Sequence, residues 1–112
     1  MSKAHVSYDD VRRIGLAMPD VEEGTSYGTP ALKLKGKLLV RLHQDLDKIV
    51  LAMSFDRREE MMAEDPETYF ITEHYREYPY VLVSLARVRR EALTDLLKTA
   101  HRAASPKAKR RV

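Results

Sequence analysis

The sequence predicts an α+β domain in which helices flank an antiparallel β-sheet, and three observations predict it. Apolar residues recur at helical spacing near both ends of the chain. Between them, Leu32 to His43 alternates with the period of two that marks a half-buried strand. Lys48–Ser54 and Tyr80–Leu85 are apolar on both faces, as in strands covered on both sides. A length of 112 residues suits one domain, and 44% hydrophobic with 33% charged residues is a globular rather than a disordered composition.

The first helix starts after Ser7, an N-cap, with Asp9 and Asp10 at its positive end. Val11, Ile14 and Met18 form its apolar stripe, and Pro19 ends it at about Met18. Asp20–Pro30 is rich in turn formers and has room for a short strand. Next, Leu32 and Leu34 alternate with Lys33 and Lys35, and Leu38, Val40 and Leu42 with Leu39, Arg41 and His43. A three-residue loop, Lys35-Gly36-Lys37, sets Leu34 opposite Leu38 and Leu32 opposite Val40; a two-residue loop mixes the faces. The hydrophobic pattern therefore selects the longer loop and leaves Lys33, Leu39 and Arg41 on the wetter face.

Gln44–Asp47 leads into the strand Lys48–Ser54. Asp56-Arg-Arg-Glu59 has capping-box spacing and starts a short helix through Met61 and Met62, interrupted at Asp65-Pro66. Tyr69–Thr72 reads as a short strand and His74–Pro79 as a loop before the strand Tyr80–Leu85. The last helix, Arg89–Ala104, buries Leu93, Leu96, Leu97 and Ala100. Residues 1–104 thus form a single domain, followed by a basic tail, 105–112, expected to be disordered.

Composition narrows the chemistry. The absence of Cys removes disulfides, thiolate nucleophiles and zinc-thiolate sites. Met1–Asp10 lacks the apolar core of a signal peptide, and the longest apolar run, Ile49–Met53, is far short of the ~20 residues of a spanning helix. A cytoplasmic protein with no membrane partner is expected. His5, His43, His74 and His101 lack the spacing of a helical metal site, so no metal or cofactor is expected. Gly24-Thr25-Ser26-Tyr27-Gly28 matches G-x-S-x-G formally, but a helix precedes it and Pro30 and a strand follow. The nucleophile elbow needs the reverse context, so the glycines read as turn formers, with Tyr27 packed on the sheet. No catalytic set emerges, and a non-enzymatic protein is expected.

The net charge of +3 is made by the tail, whose Lys107, Lys109, Arg110 and Arg111 face no acids. Without those four, residues 1–104 hold 16 Lys+Arg against 17 Asp+Glu. The strongest basic patch in the domain is the hairpin with Lys33, Lys35, Lys37 and Arg41. His74 stands among Tyr69, Phe70, Tyr75, Tyr78 and Tyr80, an aromatic cluster suited to packing or to lining a pocket.

The segment from Met18 to Leu39, with Glu23-Gly-Thr-Ser-Tyr-Gly-Thr-Pro30 and Lys35-Gly-Lys37, closely resembles the MmcQ/YjbR family. Asp65-Pro-Glu-Thr-Tyr through Tyr80-Val81 and the closing Leu85–Ala100 segment extend the match over nearly the whole chain, tail excluded. The resemblance implies a curved antiparallel sheet, likened to the double-wing fold of a phage transcription factor, and through that likeness a DNA-binding role. On this reading Lys33, Lys35, Lys37 and Arg41 of the hairpin and Lys107, Lys109, Arg110 and Arg111 of the tail contact phosphates. The alternative is a small-ligand or protein-binding module using the sheet surface near Tyr27, His74, Tyr75 and Arg76.

Overall fold

The structure is a computed structural model that describes residues 6–104, so the four tail cations lie outside the described residues. Helix α1 spans Tyr8–Leu16 and is held by a reciprocal capping box: Ser7 Oγ accepts the Asp10 N–H at 3.3 Å, and the Asp10 carboxylate accepts the Ser7 N–H at 3.0 Å. Such a cap contributes about 1 kcal/mol. Strands β1 (Val21–Ser26), β2 (Thr29–Leu34), β3 (Lys37–Leu42) and β4 (Lys48–Ala52) follow as a meander. Helix α2 (Phe55–Glu64), β5 (Tyr69–Phe70), a 3₁₀ turn (Glu73–Tyr75), β6 (Tyr80–Ser84) and α3 (Arg90–Ala104) complete the chain. All pairings are antiparallel, in the order β1-β2-β3-β4-β6-β5. The expected α+β class is what the structure has. Among the described residues, no helix is long and apolar enough to cross a membrane.

One sheet face packs against α1 and α3. Leu32, Leu34, Val40, Ile49, Leu51, Val81 and Val83 meet Val11, Leu93, Leu96, Leu97 and Ala100 in a single core. Helix α1 reaches β2 closely because residue 15 is glycine; a Cβ there would stand 2.3 Å from Leu32 Cδ1. Strand β4 lies between β3 and β6 with Ile49, Val50 and Leu51 all buried, as its two-sided apolar pattern predicts.

The β2–β3 hairpin departs from the expected register. Its turn has two residues, Lys35 (φ 51°) and Gly36 (φ 86°), and Leu34 pairs with Lys37 rather than Leu38. Two successive positive φ values mark the type I′ turn, whose twist suits a tight hairpin. A bulge opposite Leu32 and Lys33, with Leu39 of β3 as the extra residue, then restores the Leu32–Val40 pair. As a result Leu39 enters the core at 2% exposure, whereas Leu38 shares the opposite face with Lys33. The start of α2 also differs: Ser54, not Asp56, is the N-cap, its Oγ accepting the Arg57 N–H at 3.2 Å.

Candidate functional site

The second sheet face is covered at its centre by the 3₁₀ turn, opposite the face that packs against α1 and α3. Arg41, Val50, Leu82 and Phe70 lie in register across β3, β4, β6 and β5, a row of side chains directed away from the α1/α3 core. Tyr75 packs onto Val50 and Leu82 with Phe70, Ile71 and Tyr80 around it, forming a small second core. Opposite, the β1–β2 turn projects Tyr27 over the sheet. Tyr27 has φ 54° and Gly28 φ 81°, another type I′ pair, and the Tyr27 ring is 78% exposed rather than packed down. A bulky side chain at positive φ is strained, a feature that concentrates at binding sites.

Between this turn and the 3₁₀ turn lie two cavities of about 270 and 340 Å³ that share Tyr27, Arg41, His74 and Tyr75. Val50, Tyr78 and Tyr80 line the first, and His43, Gln44 and Thr72 the second. Ring contacts fix the walls: His74 meets Tyr75 edge-on at 4.7 Å, and Tyr75 meets Tyr80 edge-on at 6.3 Å. Burial, with smaller contributions from Tyr27 and Tyr75, raises the Tyr80 phenol above its ordinary value, so it is neutral near pH 7. Burial first, and Lys48 next, holds the His43 imidazole below its ordinary value, which favours its neutral form.

The polar group at the base of the site is Arg41, which is only 4% exposed. Its Nη2 donates to Tyr75 Oη at 2.7 Å, and its Nη1 reaches Leu42 O at 3.2 Å, Thr29 Oγ1 at 3.3 Å and Gln44 Oε1 at 3.4 Å. The Tyr27 ring stands over the guanidinium at 5.1 Å. Among the described residues no carboxylate pairs with it. Arg41 therefore does not join the solvated hairpin cations: its face of the sheet is covered by Tyr75 and Tyr27.

A second buried arginine builds the wall. Arg58 of α2, 3% exposed, donates from Nη1 to the carbonyls of Tyr75, Tyr78 and Tyr80 at 2.8–3.1 Å, and from Nη2 to that of Arg76 at 3.0 Å. These bonds pin the segment carrying Tyr75, Tyr78 and Tyr80 by giving its carbonyls a charged donor.

Of the residues singled out in the sequence, Tyr27, His74 and Tyr75 come together in the cavity walls. Arg76 does not line them; its guanidinium pairs with Glu73 at 3.1 Å on the exposed side. Lys35 and Lys37 are exposed beside the β2–β3 turn, Lys33 is half-buried, and Lys35 stands 3.9 Å from Asp20. Ser26 and His74 share no hydrogen bond; the Ser26 carbonyl accepts from Thr29 Oγ1. Among the described residues there is no group of three or more potential metal ligands. Sequence reasoning missed Arg41 and His43 as cavity residues and Arg58 as the organiser of the wall. The Arg58 position gives no signal in sequence, since it sits among the exposed charges of a mostly polar helix.

The YjbR family model matches residues 16–103. Among solved structures, the chain is similar to the Deinococcus radiodurans protein DR2400, whose family-model domain is DUF419. The two superpose with a TM-score of 0.78 at 21% identity, covering 99% of this chain and 87% of that one. No curated protein matches the chain.

Proposed function

The chain belongs to the YjbR family, and from that premise we propose that it is a small-ligand-binding module, not an enzyme, whose site lies between Tyr27, Arg41, His74 and Tyr75. The observation that supports it best is the aromatic-walled cavity pair standing on a buried arginine. Small-molecule sites are concave, mostly apolar and equipped with a few convergent polar groups, a description this face fits. Binding rather than catalysis is favoured because no serine lines either cavity, and Ser26, next to Tyr27, shares no hydrogen bond with His74 as a nucleophile would with its base. A screen of small fragments against the ¹⁵N-labelled full chain tests the reading. Hits should move the amide signals of Tyr27, Arg41, His74 and Tyr75 together; a screen whose hits leave those four amides unmoved overturns it.

A second reading, DNA binding, is favoured by Lys35 and Lys37, exposed in and just after the tight β2–β3 turn, and by the basic tail sequence. Withdrawal of Arg41 into the sheet face and the slight acidic excess of residues 1–104 weigh against it. Fluorescence anisotropy with a random-sequence duplex, over a salt series, separates the two. Salt-sensitive binding retained by a chain ending at Ala104 supports DNA recognition by the domain. Binding lost with the tail indicates a polycation, and absence of binding at low salt excludes the DNA reading.

A further inference from the structure

The two buried arginines resolve their burial differently. Arg58 directs both terminal amino groups at four main-chain carbonyls at 2.8–3.1 Å, leaves its Nε–H unpaired in the packed interior, and lines neither of the two cavities. Arg41 makes one short bond, to Tyr75 Oη, and three long ones that all leave from Nη1. Its Nε–H has no acceptor among the described residues, and the residue, only 4% exposed, lines both cavities. A guanidinium edge with a free N–H beside open space is the kind of donor that engages a carboxylate. A buried cation with neutral partners and a spare donor is electrostatically incomplete, and an anion in the cavity would complete it.

We propose, building on the ligand-binding reading above, that the site takes a small organic acid: a single carboxylate carried on a flat ring. The charge count selects the monoanion. Arg41 is the one Lys or Arg side chain lining the two cavities, and the imidazole of His43 is held toward its neutral form, so a phosphate dianion would be under-compensated. The walls select the body. Tyr27, His74, Tyr75, Tyr78 and Tyr80 offer ring faces and edges, which match a planar aromatic better than a puckered aliphatic ring. Volumes of about 270 and 340 Å³ lie at the small end of ligand pockets, which suits one ring and an acid group. Tyr27, exposed and already over the guanidinium at 5.1 Å, is placed to cover the ligand's ring.

The test uses matched probes on the ¹⁵N-labelled full chain: benzoate, its neutral isostere benzamide, cyclohexanecarboxylate and phenyl phosphate. Benzoate should move the amides of Arg41, His74 and Tyr75 and bind at least tenfold more tightly than benzamide or phenyl phosphate, and measurably more tightly than cyclohexanecarboxylate. Arg41→Gln should abolish the preference for benzoate over benzamide. Tyr27→Ala, at an exposed position that leaves the core intact, should weaken benzoate severalfold. Benzamide binding the same amides as tightly as benzoate overturns the acid assignment while leaving the ligand-binding reading intact. Tighter phenyl phosphate overturns the monoanion, and equal cyclohexanecarboxylate overturns the flat ring. Fragments that move the cavity amides while all four probes fail to bind also overturn the proposal. Failure of both fragments and probes there removes the ligand-binding reading with it.

Discussion

Arg58 is where fold and site depend on one side chain, and replacing it with Met shows how much. Met keeps an unbranched apolar stem in place of the arginine's, so the loss is chiefly that of the guanidinium. Four carbonyls lose a charged donor, but those of Tyr75 and Tyr78 retain a main-chain N–H, from Tyr78 at 3.1 Å and Tyr80 at 2.8 Å. The carbonyls of Arg76 and Tyr80 therefore carry most of the effect. At about 1.5–3 kcal/mol for each hydrogen bond to a charged group, two bonds amount to about 3–6 kcal/mol. Relief of the guanidinium's desolvation moves the expectation to the lower end, about 3 kcal/mol. The stacking of Arg58 over Phe55 at 4.8 Å adds little, because Phe55 is 45% exposed. Urea denaturation followed by circular dichroism should show this loss with an unchanged slope, and the melting temperature should fall by roughly 12 °C or more. Arg58→Lys, a single ammonium unable to span all four carbonyls, should lose less than Met and more than zero. A cost below about 1 kcal/mol for Arg58→Met would refute the claim that this fork holds the Tyr75–Tyr80 segment.

The bulged register separates two adjacent leucines: Leu39→Ala should cost about 2–5 kcal/mol and Leu38→Ala under about half of that, read by urea midpoints. Equal costs would restore the unbulged register. Gly36→Val forces a β-branched residue to φ 86° and should destabilise the hairpin by about 1–2 kcal/mol, seen as a lowered melting temperature. For His43, burial, Lys48 and Arg41 depress the folded-state pKa below the ordinary value of about 6.5, and Asp45 and Asp47 oppose them. The unfolded chain then binds the proton first, so His43's contribution is complete above about pH 6.5 and is lost as pH falls from there through the folded value. His43→Gln should flatten that part of the stability curve, and an NMR titration midpoint at or above 6.5 would reverse the sign.

Local rules reached the elements whose causes are local. The Ser7–Asp10 cap, the two-faced apolar strand at Lys48–Ser54 and the stripe of Leu93, Leu96, Leu97 and Ala100 each follow from a few neighbouring residues, and each forms as expected. The hairpin register was harder to read. Choosing between a two- and a three-residue loop assumes an unbroken ladder, and the bulge beside Leu32 lets the shorter loop coexist with the Leu32–Val40 pair. Lys35 at φ 51° also lacks the Asn or Asp that usually announces a type I′ turn.

The site was legible in part for the same reason. Alternation places Arg41 on the correct side of the sheet, but whether that side is water or wall depends on Tyr75, 34 residues later in the chain. Tyr75 is held in turn by the link between Arg58 and the Tyr75–Tyr80 carbonyls, whose nearest member is 17 residues away. Neither contact has a periodicity, a spacing or a turn residue that marks it in sequence. Two arginines that composition counts as solvated charge thus become the frame of a cavity. The one whose amino groups are directed at main-chain carbonyls away from the cavities is structural, and the one that lines the open space without a carboxylate partner is where a ligand's charge belongs.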